Sequence, residues 1–221
     1  MKSLIVTGGA SGLGRAIARS ASEKGYRVGA LDVDGDALEK TASELDNVVP
    51  LEASVTCIEE IYDAMSEFGE TPDVWVNNAG IVRFAPLLEL SIDDWKAVVD
   101  VNLTGTFICS KVAAEAMSER GSGSIINITS INGISAGTNS GAYGATKSGI
   151  SLLTQQMSLE WGKLGLRINA IAPGLIDGGM SEPIYADSHF RTLRTEKVPL
   201  GQLGTEDNIA DAVLFLASEE A

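Results

Sequence analysis

Tyr143 and Lys147 stand four residues apart in Ala142-Tyr143-Gly144-Ala145-Thr146-Lys147. On a helix, residues i and i+4 share a face. An ammonium beside a phenol favours the phenolate, so this spacing predicts a Tyr143 pKa drawn down from its ordinary value of about 10. A phenol tuned in this way is a general acid and base. Ser130 lies thirteen residues upstream, at the end of an apolar run. Its hydroxyl can hold the oxygen that gains or loses the proton. Its neighbour Thr129 offers the same chemistry, and Asn102 lies further back. A Tyr-x-x-x-Lys pair also arises by chance on solvated helix faces, so it needs support from elsewhere in the chain.

That support comes from the N-terminus. The β-branched run Ser3-Leu4-Ile5-Val6-Thr7 leads into Gly8-Gly9-Ala10-Ser11-Gly12-Leu13-Gly14, and a helical pattern with Ile17, Ala18 and Ala21 on one side follows. Strand, glycine turn and helix form the setting that a dinucleotide fingerprint requires. Gly8 permits the turn. Gly12 and Gly14 are expected to let backbone approach a pyrophosphate at the helix N-terminus, where N–H groups favour an anion. The next apolar strand, Arg27-Val28-Gly29-Ala30-Leu31, ends at Asp32, 18 residues after Gly14. That is close to where a ribose-binding carboxylate belongs.

Taken with Asn77-Asn78-Ala79-Gly80 and Pro173-Gly174, these segments make the chain resemble the short-chain dehydrogenase/reductase family over nearly its whole length. Thr7-Gly8-x-x-x-Gly12-x-Gly14 resembles the family's cofactor motif. Asn77-Asn78-Ala79-Gly80 resembles the motif that supports its central sheet. Asn102, Ser130, Tyr143 and Lys147 match its Asn-Ser-Tyr-Lys tetrad, and Pro173-Gly174 matches the turn beside the nicotinamide. The tetrad's spacing selects Ser130 over Thr129. The resemblance implies a Rossmann-type fold and an enzyme that interconverts a secondary alcohol and a ketone. Tyr143 is then the acid/base, Ser130 polarises the substrate oxygen, Lys147 also binds the nicotinamide ribose, and Asn102 bends its helix and holds a water next to Lys147. Cofactor contacts are expected from Gly8, Ser11, Gly12, Leu13, Gly14, Asp32, Val33, Ser54, Val55, Asn78, Ala79, Gly80, Tyr143, Lys147, Pro173, Gly174 and Ile176. Asp32 would accept from ribose hydroxyls and repel a 2′-phosphate, and Ser11 stands where NADP enzymes of the family often carry a basic residue, so NAD is expected over NADP.

Composition fits this reading. The 221 residues suffice for one domain, 1–221, with a substantial core. A formal net charge of −14 argues against nucleic-acid and acidic-membrane partners. Cys57 and Cys109 suit packing in a reducing cytoplasm better than a disulfide. No apolar run reads as a membrane span of about 20 residues, and no signal peptide is expected. His189 is the sole histidine and lacks partners for a metal site. Arg191, Arg194 and Lys197 form a basic cluster that is either a solvated helix face or a receptor for a substrate carboxylate or phosphate.

Apolar patterning predicts strands near 3–7, 27–32, 47–52, 73–77, 123–129 and 166–171. It predicts helices near 13–24, 34–45, 56–68, 91–118, 142–162 and 205–218. Such alternation gives a doubly wound parallel sheet with helices on both faces. The segment 178–204 is long enough to be a substrate lid, and Phe84, Ile131, Asn132, Met180, Ile184 and Tyr185 are candidate pocket walls.

The chain departs from the family pattern in three places. Ser54 replaces a frequent Asp near adenine, Gly178 replaces a Thr that touches the nicotinamide amide, and the sheet is expected to lack the family's last strand. A second reading therefore stays open, a dinucleotide-binding sensor or scaffold without turnover. Within the enzyme class, a 3-oxoacyl-carrier reductase is a further alternative, which Asp32 and the acidic charge disfavour. Extra apolar positions on the helices at 91–118 and 142–162 (Val98, Val101, Phe107, Leu152, Leu153, Met157 and Trp161) predict a homodimer or homotetramer.

Overall fold

A computed structural model describes residues 1–221, apart from the side chains of Pro183 and Ile184. Six strands form one all-parallel sheet in the order β3-β2-β1-β4-β5-β6. They are β1 (Ser3–Thr7), β2 (Arg27–Asp32), β3 (Val48–Glu52), β4 (Val74–Asn77), β5 (Gly123–Ile128) and β6 (Leu166–Ile171). Between them run α1 (Gly12–Glu23), α2 (Gly35–Glu44), α3 (Ile58–Phe68), α4 (Ile92–Val99), α5 (Gly105–Arg120) and α6 (Tyr143–Trp161). The short helices α7 (Glu182–Tyr185) and α8 (Ser188–Thr195) precede α9 (Glu206–Ala217).

Strands buried on both faces read as nearly continuous apolar runs, and Leu4, Ile5, Val6, Val74, Trp75, Val76, Ile125 and Ile126 are almost wholly buried. One face carries Ile5, Leu31, Leu51, Trp75 and Ile125 under α3, α5 and α6. The other carries Leu4, Val6, Val28, Val74, Val76 and Ile126 under α1 and α9. The strand order changes direction between β1 and β4. In open α/β sheets, that switch point is where a crevice opens beyond the strand C-termini.

A buried polar network fixes the centre of the sheet. Trp75 Nε1 donates to Asn77 Oδ1 (2.9 Å), and Asn77 Nδ2 donates to Ser110 Oγ on α5 (2.7 Å) and to Asn127 Oδ1 (2.8 Å). Asn127 Nδ2 then donates to Thr154 Oγ1 on α6 (2.8 Å). Each amide oxygen and nitrogen has a partner within the protein, which offsets the cost of burying the network. It also ties the two helices that carry Asn102 and Tyr143 to fixed positions on β4 and β5.

Three features differ from the sequence reading. The helix expected over 91–118 is not continuously α-helical: it is interrupted by a π-helical turn, Asp100–Thr104, centred on Asn102, where the resemblance implied a bend. The region 178–204 contains α7 and α8, and its two ends are joined by a second, two-stranded parallel sheet, β7 (Ile176–Asp177) with β8 (Gly204–Thr205). The helical run Ile92–Arg120 is long and apolar enough to cross a membrane by composition, contrary to the expectation of no such run. Half of its most apolar stretch is buried inside the fold, which explains its apolarity as core packing.

The apolar positions on these helices also divide. Val98 and Met157 are buried in the monomer's own core, and Val101, Leu153 and Trp161 pack against it. Phe107 and Leu152 remain exposed, joined by Trp95 and Leu159.

Candidate active site

A cleft of about 490 Å³ runs along the C-terminal ends of the strands, from Asp32 and Val33 at one end to Ser130, Tyr143 and Lys147 at the other. This volume is in the range of small-molecule sites. Gly8, Ser11, Gly12 and Leu13 form its floor, Ser54, Val55, Asn78, Ala79 and Gly80 its sides, and Pro173, Gly174 and Ile176 its far wall. Ser11 starts α1 but makes no side-chain cap. The first-turn N–H groups of α1 therefore lack side-chain acceptors where they face the cleft, a fit for an anion. Thr7 Oγ1 accepts from the backbone N–H groups of Asn78 and Ala79, both at 3.0 Å. Asn78 Nδ2 donates to Thr7 O at 3.0 Å. This exchange locks the glycine turn to the loop after β4.

Gly14 lies behind the residues that line the cleft. A Cβ at Gly14 would lie 1.9 Å from Gly8 O, so Gly14 lets α1 close onto the turn. Asp32 is held by backbone. Val33 N donates to Oδ1 at 2.8 Å, and Ala10 N donates to Oδ2 at 3.2 Å. Ser54 turns its hydroxyl to Thr56 (2.8 Å), and its N–H donates to Glu60 (2.7 Å), a local turn at the start of α3.

At the other end, Ser130 Oγ accepts from Asn132 N (3.1 Å). Thr129 Oγ1 donates to Ile171 O (2.9 Å), so Thr129 is engaged with β6 and Ser130 is the hydroxyl beside Tyr143. Lys147 is almost fully buried, and its Nζ donates to Ile128 O at the end of β5 (2.7 Å). The same Nζ lies 5.5 Å from the centroid of the Tyr143 ring. Burial drives the Lys147 pKa down from 10.5 to about 8. Burial also pushes the Tyr143 phenol up, opposed by a hydrogen bond from Ser130. The direction is therefore opposite to the expected fall, because desolvation outweighs the hydrogen bond with Ser130. At neutral pH Tyr143 holds its proton and Lys147 is mostly charged.

Asn102 is wholly buried and does not reach the cleft wall. Its Oδ1 accepts from Ile81 N (2.8 Å), and its Nδ2 donates to Ile81 O (3.0 Å) and Thr146 Oγ1 (3.2 Å). It thus links the loop after β4 to the first turn of α6, and Gly80 lies against both Asn102 and Lys147.

The start of the segment 178–204 shows why a side chain is absent at 178. Gly178 has φ +141°, and a Cβ there would lie 2.5 Å from Glu206 Oε1. Glu206 opens α9, with its carboxylate beside Gly178 and Gly179. Burial raises its pKa, and the Gly179 contact opposes the shift. Nothing in the local sequence at 178 announces this partner on a distant helix.

Of the proposed walls, Phe84, Ile131, Asn132, Met180 and Tyr185 line the cleft, while the Ile184 side chain lies outside the described residues. His189 and Lys197 are exposed away from it. Among the described residues no His, Cys, Asp and Glu group could hold a metal. Burial pushes the Cys109 thiol up, which suits its packing role.

A sequence model of the family described as Enoyl-(Acyl carrier protein) reductase matches residues 8–221. The chain belongs to the short-chain dehydrogenase/reductase family. It is 34% identical to 3beta-hydroxysteroid dehydrogenase 1 of Eggerthella lenta, over 100% of this chain and 88% of the relative. It is 37% identical to cis-4-hydroxycyclohexanecarboxylate dehydrogenase of Sinomonas cyclohexanicum, over 98% and 89%. The crystal structure of a 3-oxoacyl-[acyl-carrier protein] reductase with bound NAD from Brucella melitensis superposes with a TM-score of 0.91 at 32% identity, covering 99% of this chain and 85% of that one. As a member of this family, the protein is an NAD(P)-dependent oxidoreductase acting on CH–OH groups.

The depressed Lys147 pKa has a thermodynamic consequence. Between pH 8 and 10.5 the unfolded chain binds more protons at this residue than the folded one, so stability rises with pH across that window; below pH 8 the cost of the buried charge is constant. The drop corresponds to about 3 kcal/mol. Lys147→Met should therefore be more stable than the wild type at pH 7.5, and urea unfolding should show that advantage shrinking steadily toward pH 10. A pH-independent difference would show that Lys147 is not desolvated as described.

Proposed function

We propose that this enzyme is an NAD-dependent dehydrogenase/reductase that interconverts a secondary alcohol and a ketone, with Tyr143 as proton donor and acceptor. The observation that carries this reading is the convergence of Ser130, Tyr143 and Lys147 at one end of a cleft whose other end is Asp32. A bound nicotinamide supplies or accepts the hydride. The Ser130 hydroxyl holds the substrate oxygen near the Tyr143 phenol. The phenol, held protonated by burial, gives its proton to that oxygen in reduction and recovers it in oxidation. Lys147, bonded to Ile128 O, keeps a positive charge beside the phenol as it loses the proton. Asn102, through Ile81 and Thr146, fixes the turn of α6 on which Tyr143 sits. The Pro-Gly turn and Ile176 are proposed to hold the nicotinamide end, and Gly8, Ser11, Gly12 and Leu13 the pyrophosphate.

The preference for NAD rests on charge. Asp32 is oriented by three backbone N–H groups. Beyond Val33, the adjoining groove is lined by Asp34, Asp36, Glu39 and Glu52. A 2′-phosphate would meet this acidic surface, whereas ribose hydroxyls would meet good acceptors. The Brucella melitensis neighbour with bound NAD is compatible with this choice. Phe107, Leu152, Trp95 and Leu159, exposed on α4, α5 and α6, support a homodimer.

Tyr143→Phe should bind NADH nearly unchanged and lose about two to four orders of magnitude in turnover, measured as NADH oxidation with a panel of cyclic and acyclic ketones. Turnover within a few-fold of wild type would remove Tyr143 from the proton path. NADH binding without turnover of any ketone would favour the sensor or scaffold reading. Catalytic efficiency should favour NADH over NADPH by about tenfold or more, and Asp32→Ala should narrow that ratio. Equal efficiencies in the wild type would show that the carboxylate does not discriminate.

A further inference from the structure

Only three charged residues line the cleft among the described residues, Asp32, Lys147 and Arg194. The first two belong to the cofactor and proton-transfer machinery proposed above. Arg194 does not, and its surroundings set it apart from its neighbours on the lid. Arg191, one helical turn earlier on α8, is fully engaged. Its guanidinium forms two hydrogen bonds with the two oxygens of the Asp177 carboxylate on β7, one of them at 2.9 Å. That fork straps α8 to the root of the lid. Lys197 is exposed away from the cleft.

Arg194 has no carboxylate within salt-bridge distance and no side-chain hydrogen bond among the described residues. Its one contact of note is the Phe190 ring, 5.8 Å from the guanidinium carbon and one turn back on the same helix. A ring face orients a guanidinium without neutralising it. A place in the last turn of α8 suits a cation, but the side chain donates to no helix carbonyl there. In a protein with a net charge of −14, a half-buried cation with no anionic partner on a cleft wall is the exception. Long-range attraction cannot bring an anion to this site, so a local donor set must hold it. The same part of the cleft exposes apolar surface from Phe84, Ile131 and Met180.

Resting on the oxidoreductase reading, we infer that Arg194 is a specificity-determining residue, whose guanidinium receives an anionic group on the substrate. The substrate class is then a hydroxy or keto acid with an apolar body. Its carbonyl carbon lies at Ser130 and Tyr143, its apolar part lies against the Phe84 and Met180 walls, and its carboxylate meets Arg194. A guanidinium pairs with a carboxylate through two parallel N–H donors, which gives orientation as well as affinity. The Arg191–Asp177 fork holds the helix that presents Arg194.

The competing source of an anion in this cleft is the dinucleotide's own pyrophosphate, and the test separates the two. Calorimetric titration of the complex with oxidised NAD, which cannot reduce a ketone, uses two probes of similar shape, 4-oxocyclohexanecarboxylate and 4-methylcyclohexanone. The wild type should bind the acid about tenfold or more tightly than the neutral ketone. Arg194→Gln, which keeps helix propensity, should erase that ratio and leave the neutral ketone and NAD affinities within about twofold. No preference for the acid in the wild type would overturn the inference, as would an equal loss for both probes in the variant. A drop in NAD affinity with the probe ratio intact would assign Arg194 to the dinucleotide and overturn it too. Failure of the wild type to bind NAD would overturn the oxidoreductase reading as well, whereas intact NAD binding without acid preference counts against Arg194 alone.

Discussion

The site depends on a lysine ammonium that has been taken out of water. A buried charge is tolerated only where fixed dipoles or counter-charges replace its hydration. For Lys147 the replacement comes from the carbonyl of Ile128 at the end of β5 and from the Tyr143 ring face. This arrangement needs β5, α6 and the loop after β4 to meet within a few ångströms. The buried amide network from Trp75 to Thr154 sets α5 and α6 against the sheet. Asn102 then joins Ile81 to Thr146, at the cost of a widened π turn in its own helix. A single widened turn keeps the helix continuous while fixing the separation between Lys147 and Tyr143.

Charge is distributed along the cleft in a way that matches this constraint. The negative end, at Asp32, is oriented by backbone donors and backed by further carboxylates. The middle presents backbone N–H groups at the start of α1. The reacting end holds a cation that is buried and a phenol that desolvation keeps protonated. The segment 178–204 is anchored at its ends by β7 and β8, by Arg191 with Asp177, and by Glu206 beside Gly178 and Gly179.

Much of this was legible in the residues. The six strands fall where β-branched runs placed them, because a strand buried on both faces leaves an uninterrupted apolar signature. The glycine turn, Asp32, Ser130, Tyr143 and Lys147 reach one cleft because the motif order follows the sheet's switch point. What was not legible depends on partners far apart in the chain. The absence of a side chain at 178 follows from a carboxylate on α9, and the packing of Gly14 from the Gly8 carbonyl. The pKa of Tyr143 ran opposite to expectation because spacing reports a neighbour's charge but not the water removed from around both groups.

Burial raises the pKa of the Tyr143 phenol in the protein without nucleotide. The direct test is a tyrosinate absorbance titration of the protein without nucleotide, taken as the difference between wild type and Tyr143→Phe. The account predicts that the Tyr143 signal appears only above the ordinary tyrosine pKa of about 10. A Tyr143 transition near neutral pH would contradict it and return the control of this site to the charge of Lys147.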